Sequence, residues 1–242
     1  MKNFFAALQF ITSLPVGKRE KFIPAAMAPF FPIVGLLLGA LVALFDLAVR
    51  QLWPLSVTAL LDVLFLILLT GAFHLDGLGD TADGLYGHRQ KEAALAIMKD
   101  SRIGVMGLVA IICGLSIKWA GIAGLNANRS IYLLVIPAYA RAGMLFGMRF
   151  LKYGRPEGGI GKPFFDTKIK FTAFWGLLVP VGFSFFLGWR TLLLNIVFAI
   201  LVGCILLYYK RKINCITGDM LGAMTEITES GLFLVASASW YL

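Results

Sequence analysis

Long apolar runs separated by short polar stretches dominate the pattern of this chain. Six runs are each about 20 residues long, enough for a helix to cross about 30 Å of hydrocarbon. They are Phe30–Val49, Leu55–Phe73, Ile103–Leu125, Ile131–Phe150, Phe171–Trp189 and Thr191–Tyr209. A last segment, Met220–Leu242, is apolar in its second half and carries two glutamates in its first, and we interpret it as a seventh helix. The pattern predicts an all-α, polytopic integral membrane helical bundle of about six or seven transmembrane helices.

Composition agrees with a single membrane-embedded domain over residues 1–242. The chain is 59% hydrophobic, and its mean hydropathy of +0.83 is far above that of a soluble domain. The amphipathic segment Met1–Leu14 is too short to span, so we expect it to lie at the membrane interface. The three cysteines form no CxxC pair, which argues against a disulfide framework or a thiolate metal site.

The basic residues are distributed unevenly between the predicted loops. Clusters precede the first run and follow the second, fourth and sixth, whereas the opposite loops carry only Arg50, Arg129 and Arg190. This positive-inside pattern predicts an inner (cytoplasmic) membrane protein with a cytoplasmic amino terminus. The net charge of +9 therefore reflects membrane topology, and we expect no nucleic-acid partner. The oligomeric state stays open, and a homo-oligomer is compatible with the sequence.

The stretch Phe73–Gly87, FHLDGLGDTADGLYG, concentrates acidic residues in an apolar chain. On a helix, the spacings of four and three place Asp76, Asp80 and Asp83 within an arc of roughly 60°. Three like charges so close together repel one another unless a cation lies on them. Magnesium is the natural cation, since it prefers hard oxygen ligands and bridges them to phosphate. The alternative is a solvated acidic helix end beside the membrane.

Two basic motifs fall on the same predicted face as the acids. Lys99, Asp100 and Arg102 precede the third run, where they either bind substrate phosphates or, in the case of Asp100, cap the helix. The second motif, Gly154–Lys162, is rich in glycine and is not a Walker loop. Its exposed backbone N–H groups suit a diphosphate, and the alternative is a flexible connector. Its candidate binding residues are Arg155, Gly158, Gly159 and Lys162.

The start of the last segment contributes a fourth polar element to this face. On a helix, Asp219, Gly222, Ala223 and Glu226 share one side. The small residues permit another helix to approach closely and bring the two acids to it. The alternative is a polar helix start, where Asp219 is favourable on its own.

Several charges fall inside the apolar runs. Arg141 is mid-way along the fourth run, so we expect it to face the bundle interior and pair with an acid or a phosphate. Lys118, Arg149, Asp46 and Asp62 are nearer the run ends or could snorkel to the interface, and we interpret them as structural residues. His74 points away from Asp76 on a helix, and we expect it to act as a hydrogen-bonding partner rather than a ligand.

Six motifs carry a resemblance to a known family. LQFITSLPV, FFPIVGLLLGAL, FHLDGLGDTADGLYG, IMKDSRIGVMG, GRPEGGIG and TGDMLGAMTEITE occur in the order and spacing of the cobalamin synthases. The resemblance covers nearly the whole chain, and its most specific parts are HLDGLGDTADGL and MKDSRIG.

The resemblance implies a reaction and a set of roles. Members join α-ribazole or α-ribazole 5′-phosphate to adenosylcobinamide-GDP with magnesium, releasing GMP and forming adenosylcobalamin or its 5′-phosphate. The residues fit this chemistry, because magnesium on carboxylates can neutralise the charge that builds on a leaving phosphate. The expected magnesium ligands are Asp76, Asp80, Asp83 and Asp219. Asp83 and Glu226 are alternatives for the general base, and the expected substrate contacts are Lys99, Asp100, Arg102, Arg141, Arg155, Gly158, Gly159 and Lys162.

Two other function classes compete with this interpretation. A CDP-alcohol phosphotransferase also uses aspartates on membrane helices, but its signature has Ala-Arg after the first Asp-Gly pair, and this chain does not. A transporter would show inverted repeats and polar groups at the midplane. The chain shows no internal repeat, and its acidic motif clusters at one predicted interface.

Overall fold

The computed structural model describes residues 1–18 and 20–238, which form helices joined by short connections. Arg19, one of the basic residues before the first run, and the end of the predicted segment Met220–Leu242 lie outside the described residues. The α-helices are α1 (Lys2–Ile11), α2 (Pro24–Met27), α3 (Phe31–Val49), α4 (Leu55–Thr70), α5 (Phe73–Leu85), α6 (Lys91–Ile97), α7 (Val105–Ala123), α8 (Arg129–Phe150), α9 (Leu178–Ser184), α10 (Arg190–Lys212) and α11 (Gly218–Ala236). Short 3₁₀ segments occur at Ala28–Phe30, Lys162–Phe164, Phe171–Leu177 and Phe185–Leu187.

This architecture confirms a polytopic all-α membrane protein, but fewer helices qualify as spans than the apolar runs indicated. In the part of the chain that the structure describes, four helical segments are long and apolar enough to cross a membrane, or five if α4 and α5 count as one bent span. The run at Phe171–Trp189 forms a shorter apolar segment, Phe171–Leu187, interrupted by 3₁₀ turns. Helix α11 carries three acidic residues along its length. It is nevertheless buried among other helices.

The break between α4 and α5 positions the acidic stretch. Gly71 and Ala72 both adopt left-handed backbone conformations, with φ of 60° and 59°. The two helices consequently meet at 92° instead of continuing as one rod. Leu69 at the end of α4 accepts a hydrogen bond from the Ser13 backbone N–H at 2.8 Å, so the segment after α1 secures the bend. Helix α5 therefore turns across the bundle and packs on α7 and α11.

Two buried ionic clusters tie the helices together. In the first, Lys118 of α7 contacts Glu226 at 2.6 Å and Glu229 at 2.5 Å, both on α11. Glu229 also pairs with the fully buried Arg141 of α8, which confirms that this arginine faces an acid inside the bundle. Lys118 therefore has the structural role predicted for it, but it does not snorkel to the interface, since its side chain is 3% exposed. It stays inside because two carboxylates satisfy it there.

The second cluster joins α3, α4 and α8. Arg129 contacts Asp46 at 2.7 Å and Asp62 at 2.9 Å, and it donates to the Ile122 carbonyl. The sequence placed Arg129 in a loop and the two aspartates near the interface, yet all three are buried. Their structural role stands, but mutual pairing rather than solvent contact satisfies their charges.

Candidate active site

Helix α5 presents its three aspartates on one face, as the spacing predicted. Asp76 is exposed, and Asp80 and Asp83 are partly buried. The opposite face carries Leu78 and Leu85, which are buried against the bundle. Amphipathicity thus fixes the rotation of α5 and directs the carboxylates outward.

Helix α11 begins directly beside the acidic face. Its N-cap, Thr217, accepts a hydrogen bond from the Met220 backbone N–H at 3.2 Å. This places Asp219 in the first turn. A Cβ added at Gly77 of α5 would lie 2.5 Å from the Asp219 carbonyl oxygen, so only glycine permits this approach. Gly222 lies against the backbone of α5 as well, and the predicted close approach of small residues is confirmed.

A third segment, the glycine-rich loop, joins these two helices. The Gly154 N–H donates to the Ile216 carbonyl at 2.8 Å, and the Ile216 N–H donates to the Lys152 carbonyl at 2.9 Å. These bonds align the loop with the start of α11 and carry Arg155 to Asp219, where Nη2 and Oδ2 are 2.8 Å apart. Three motifs distant in sequence therefore meet at one place.

A cavity of about 190 Å³ opens where the three segments meet. Asp76, Asp219 and Arg155 supply its charged groups. Gly159, Ile160 and Gly161 line it from the loop, and Phe10, Phe31, Phe73 and Phe164 form part of its apolar wall. Of the predicted loop residues, Gly158 and Lys162 lie outside this lining.

The donor atoms at this cavity suit magnesium without forming a ready-made cage. Asp80 lies outside the cavity lining but within electrostatic range of Asp76, Asp219, Asp83 and Arg155. Among residues 1–18 and 20–238, no three His, Cys, Asp or Glu side chains converge tightly enough to hold a metal ion unaided. Magnesium is usually bound by one or two carboxylates together with substrate phosphate and water. Asp76, Asp80 and Asp219 offer that kind of incomplete oxygen site.

Asp83 has a different role from the other two aspartates of α5. Its Oδ2 accepts from the Gly104 N–H at 2.7 Å, and its Oδ1 accepts from the Gly107 N–H at 2.8 Å. Both oxygens thus cap the amino end of α7, a long-range contact that helical spacing within α5 does not reveal. We therefore do not include Asp83 among the proposed metal ligands.

The motif Lys99–Arg102 lies at the Asp83 end of α5. Arg102 binds Asp100 through its side chain, with Nη2 and Oδ2 2.5 Å apart. Hydrogen bonds from Arg102 lower the pKa of Asp100 to about 2, so this carboxylate is ionised at neutral pH. Lys99 is exposed. Arg155 lines the cavity that contains Asp76, so the two basic motifs lie beside opposite ends of α5.

The structure corrects three further expectations. Glu226 pairs with Lys118 and is absent from the charged neighbours of Asp80, so it does not join the acids of α5. Arg141 lies inside the bundle with Glu229 and does not line the cavity. The two ring nitrogens of His74 are buried and make no hydrogen bond within the described part of the chain, so the expected bonding role is wrong.

Sequence reasoning missed several residues of this region. Tyr153 lines the cavity, and Arg89 lies near Asp83, donating to its carbonyl oxygen at 3.2 Å. Sequence patterns did not indicate these two residues, because neither belongs to a charged repeat or to one face of a helix. Glu229 was visible only as an acid in an apolar segment, and its partners come from two other helices.

The chain is similar to a characterised group of proteins over nearly its full length. Residues 3–237 match the cobalamin-5-phosphate synthase family. The adenosylcobinamide-GDP ribazoletransferase of Alkaliphilus metalliredigens (strain QYMF) is 37% identical, over 97% of this chain and 94% of the relative. The protein of the same name from Clostridium novyi (strain NT) is 32% identical, over 99% and 98%. No solved structure matches the chain. The extent of these matches shows that the chain belongs to the cobalamin-5-phosphate synthase family.

Proposed function

We propose that this chain joins α-ribazole or α-ribazole 5′-phosphate to adenosylcobinamide-GDP and releases GMP, completing the nucleotide loop of adenosylcobalamin or its 5′-phosphate. The observation that carries the site assignment is the meeting of Asp76, Asp219 and Arg155 at one cavity beside a glycine-rich loop. Membership of the family supports the reaction and leaves no reason to prefer a CDP-alcohol phosphotransferase.

The cavity provides what a diphosphate ester requires. The Arg155 side chain is 20% exposed and lines the cavity, where its Nη2 also contacts Asp219. Gly159 and Gly161 line the same cavity from the loop, and the Tyr153 ring packs against both of them. Backbone N–H groups of such a loop can bind phosphate oxygens. These groups would hold the donor while an acceptor hydroxyl attacks phosphorus and the bond to GMP breaks.

Asp76, Asp80 and Asp219 are the residues that would hold magnesium. When bound, the ion would neutralise charge on the diphosphate and the leaving GMP. Arg155 partly balances the acids on the protein side, and a phosphate that draws this arginine away from Asp219 would free a carboxylate oxygen. Neither candidate base is well placed, because Glu226 is held by Lys118 and Asp83 caps α7.

Release of GMP tests the function directly. The purified protein in lipid vesicles, given adenosylcobinamide-GDP, α-ribazole 5′-phosphate and magnesium, is expected to release one GMP for each nucleotide loop closed. Chromatography measures both products, and magnesium chelation is the control. Release of CMP from a CDP-alcohol with no GMP from the corrinoid would contradict the proposal.

We also propose that the cavity faces the cytoplasm of a bacterial inner membrane. The positive-inside distribution supports this orientation, since the glycine-rich loop and the end of α10 carry many of the basic residues. In a background without the native cysteines, cysteines introduced at Gly87 and Gly158 are expected to react only with a thiol reagent on the cytoplasmic side. A cysteine at Asn128 should react only from outside. The inverse pattern would contradict the orientation.

A further inference from the structure

A second cavity lies at the other end of the acidic face. It encloses about 490 Å³ between the carboxyl end of α5 and the start of α7. Asp83, Arg89, Asp100 and Arg102 contribute its charged groups, and Tyr86 contributes an aromatic wall. Nothing in the diphosphate site described above uses this cavity.

Arg89 is the basic residue of this cavity that forms no ion pair with a described carboxylate. The Asp83 carboxylate already accepts two backbone N–H groups, and Asp100 is engaged by Arg102. Arg89 donates through Nη1 to the Asp83 carbonyl oxygen at 3.2 Å, and no described carboxylate lies within ion-pair distance of it. A guanidinium in this state can offer its remaining N–H groups to an anion, and their fork matches phosphate oxygens.

The position of this arginine relates it to the reaction. Helical rise places Asp80 about 6 Å along α5 from Asp76, and Asp83 about 4.5 Å further on. The Arg155 cavity therefore adjoins one end of the acidic face and the Arg89 cavity the other, with Asp80 between them. A transfer reaction needs two substrates to meet, and the donor diphosphate is already assigned to the Arg155 end.

We propose that Arg89, with Arg102 beside it, binds the 5′-phosphate of the acceptor nucleotide. This inference rests on the proposed function and deepens it, because it assigns the two substrates to opposite ends of one helix face. The acceptor's ribose then lies over Asp80, with its phosphate toward Asp83 and its attacking hydroxyl toward the donor. Arg89 would thereby favour the phosphorylated acceptor over free α-ribazole.

Equilibrium binding to the full chain in nanodiscs tests the assignment without turnover. Arg89→Gln is expected to weaken the binding of α-ribazole 5′-phosphate about tenfold or more, the usual loss when a charge-assisted hydrogen bond is removed. The Kd for adenosylcobinamide-GDP should change less than twofold. The matched control is Arg211→Gln, which removes the same charge from an exposed position on α10 that does not line the cavity. Arg89→Lys, which keeps the charge and loses the fork, should fall between wild type and Arg89→Gln.

Two results would overturn the assignment. One is an equal loss of affinity in Arg89→Gln and Arg211→Gln, which would indicate only general charge attraction. The other is an Arg89→Gln variant that binds α-ribazole 5′-phosphate as wild type does, or that loses adenosylcobinamide-GDP instead. If wild type releases GMP and either result is obtained, only the Arg89 assignment fails. If wild type binds neither substrate and releases no GMP, the proposed function itself fails.

Discussion

Asp219→Asn should lower turnover by about 10²–10³-fold, the range seen when one preorganised electrostatic contact to a reacting group is lost. The substitution keeps the size of the side chain and the Thr217 cap, so α11 should still begin at the same place. It removes the only proposed ligand that does not come from α5. We therefore also expect a higher magnesium concentration for half-maximal rate. The same change at Asp76 or Asp80 should have effects of similar size.

Two control variants distinguish the loss of a magnesium ligand from the loss of any negative charge. Asp166→Asn alters an exposed aspartate in the loop after the glycine-rich segment and should leave both the rate and the magnesium requirement unchanged. Asp83→Asn should instead lower thermal stability by about 1 kcal/mol, as capping losses do, without shifting the magnesium requirement. Rates measured over a magnesium titration distinguish these cases. An Asp219→Asn variant with wild-type magnesium dependence would exclude Asp219 from the ion's ligands.

Glu229→Leu should destabilise the folded bundle by about 3–5 kcal/mol, the cost of breaking a buried pair by removing one partner. The carboxylate serves two cations at once, so its loss leaves Arg141 without an acid and Lys118 with one fewer. These residues belong to α7, α8 and α11, and all three helices should loosen together. Thermal unfolding in detergent, followed by circular dichroism, measures the effect.

A compensating variant tests whether charge is the cause. Arg141→Met combined with Glu229→Leu removes both members of one pair and leaves Lys118 with Glu226. Replacing a buried ion pair with apolar residues is often neutral or stabilising, so most of the lost stability should return. If the double variant is as unstable as Glu229→Leu alone, packing volume rather than the unpaired charge is responsible.

Features of this fold that depend on residues close together in the sequence were predictable, and features that depend on backbone conformation or on distant residues were not. Apolar runs gave the helices of the bundle because a 20-residue apolar segment has few alternatives in a membrane. The 92° break was not predicted, since Gly71 and Ala72 lie inside one continuous apolar run. Only the left-handed conformation of both residues shows that the run ends there.

The same distinction applies to the site. Helical spacing brought Asp76 and Asp80 onto one face, and small residues indicated the contact between α5 and α11. Spacing within one helix did not show that Asp83 faces Gly104 and Gly107. Nor did it show that Glu226 turns to Lys118, because both outcomes depend on a partner from another helix.

The sharp turn between α4 and α5 also bears on how much work a transmembrane voltage can do on charge that moves along α5. The acidic face lies on α5, which meets α4 at 92°, so charge passing between the two proposed substrate sites would move across the direction of α4. A transmembrane voltage does work only on charge displaced along the membrane normal, about 2.3 kcal/mol per unit charge for each 100 mV. If α4 stands along the membrane normal, a transfer along the proposed acidic face would be electrically silent. The membrane voltage would then neither drive nor oppose the proposed reaction.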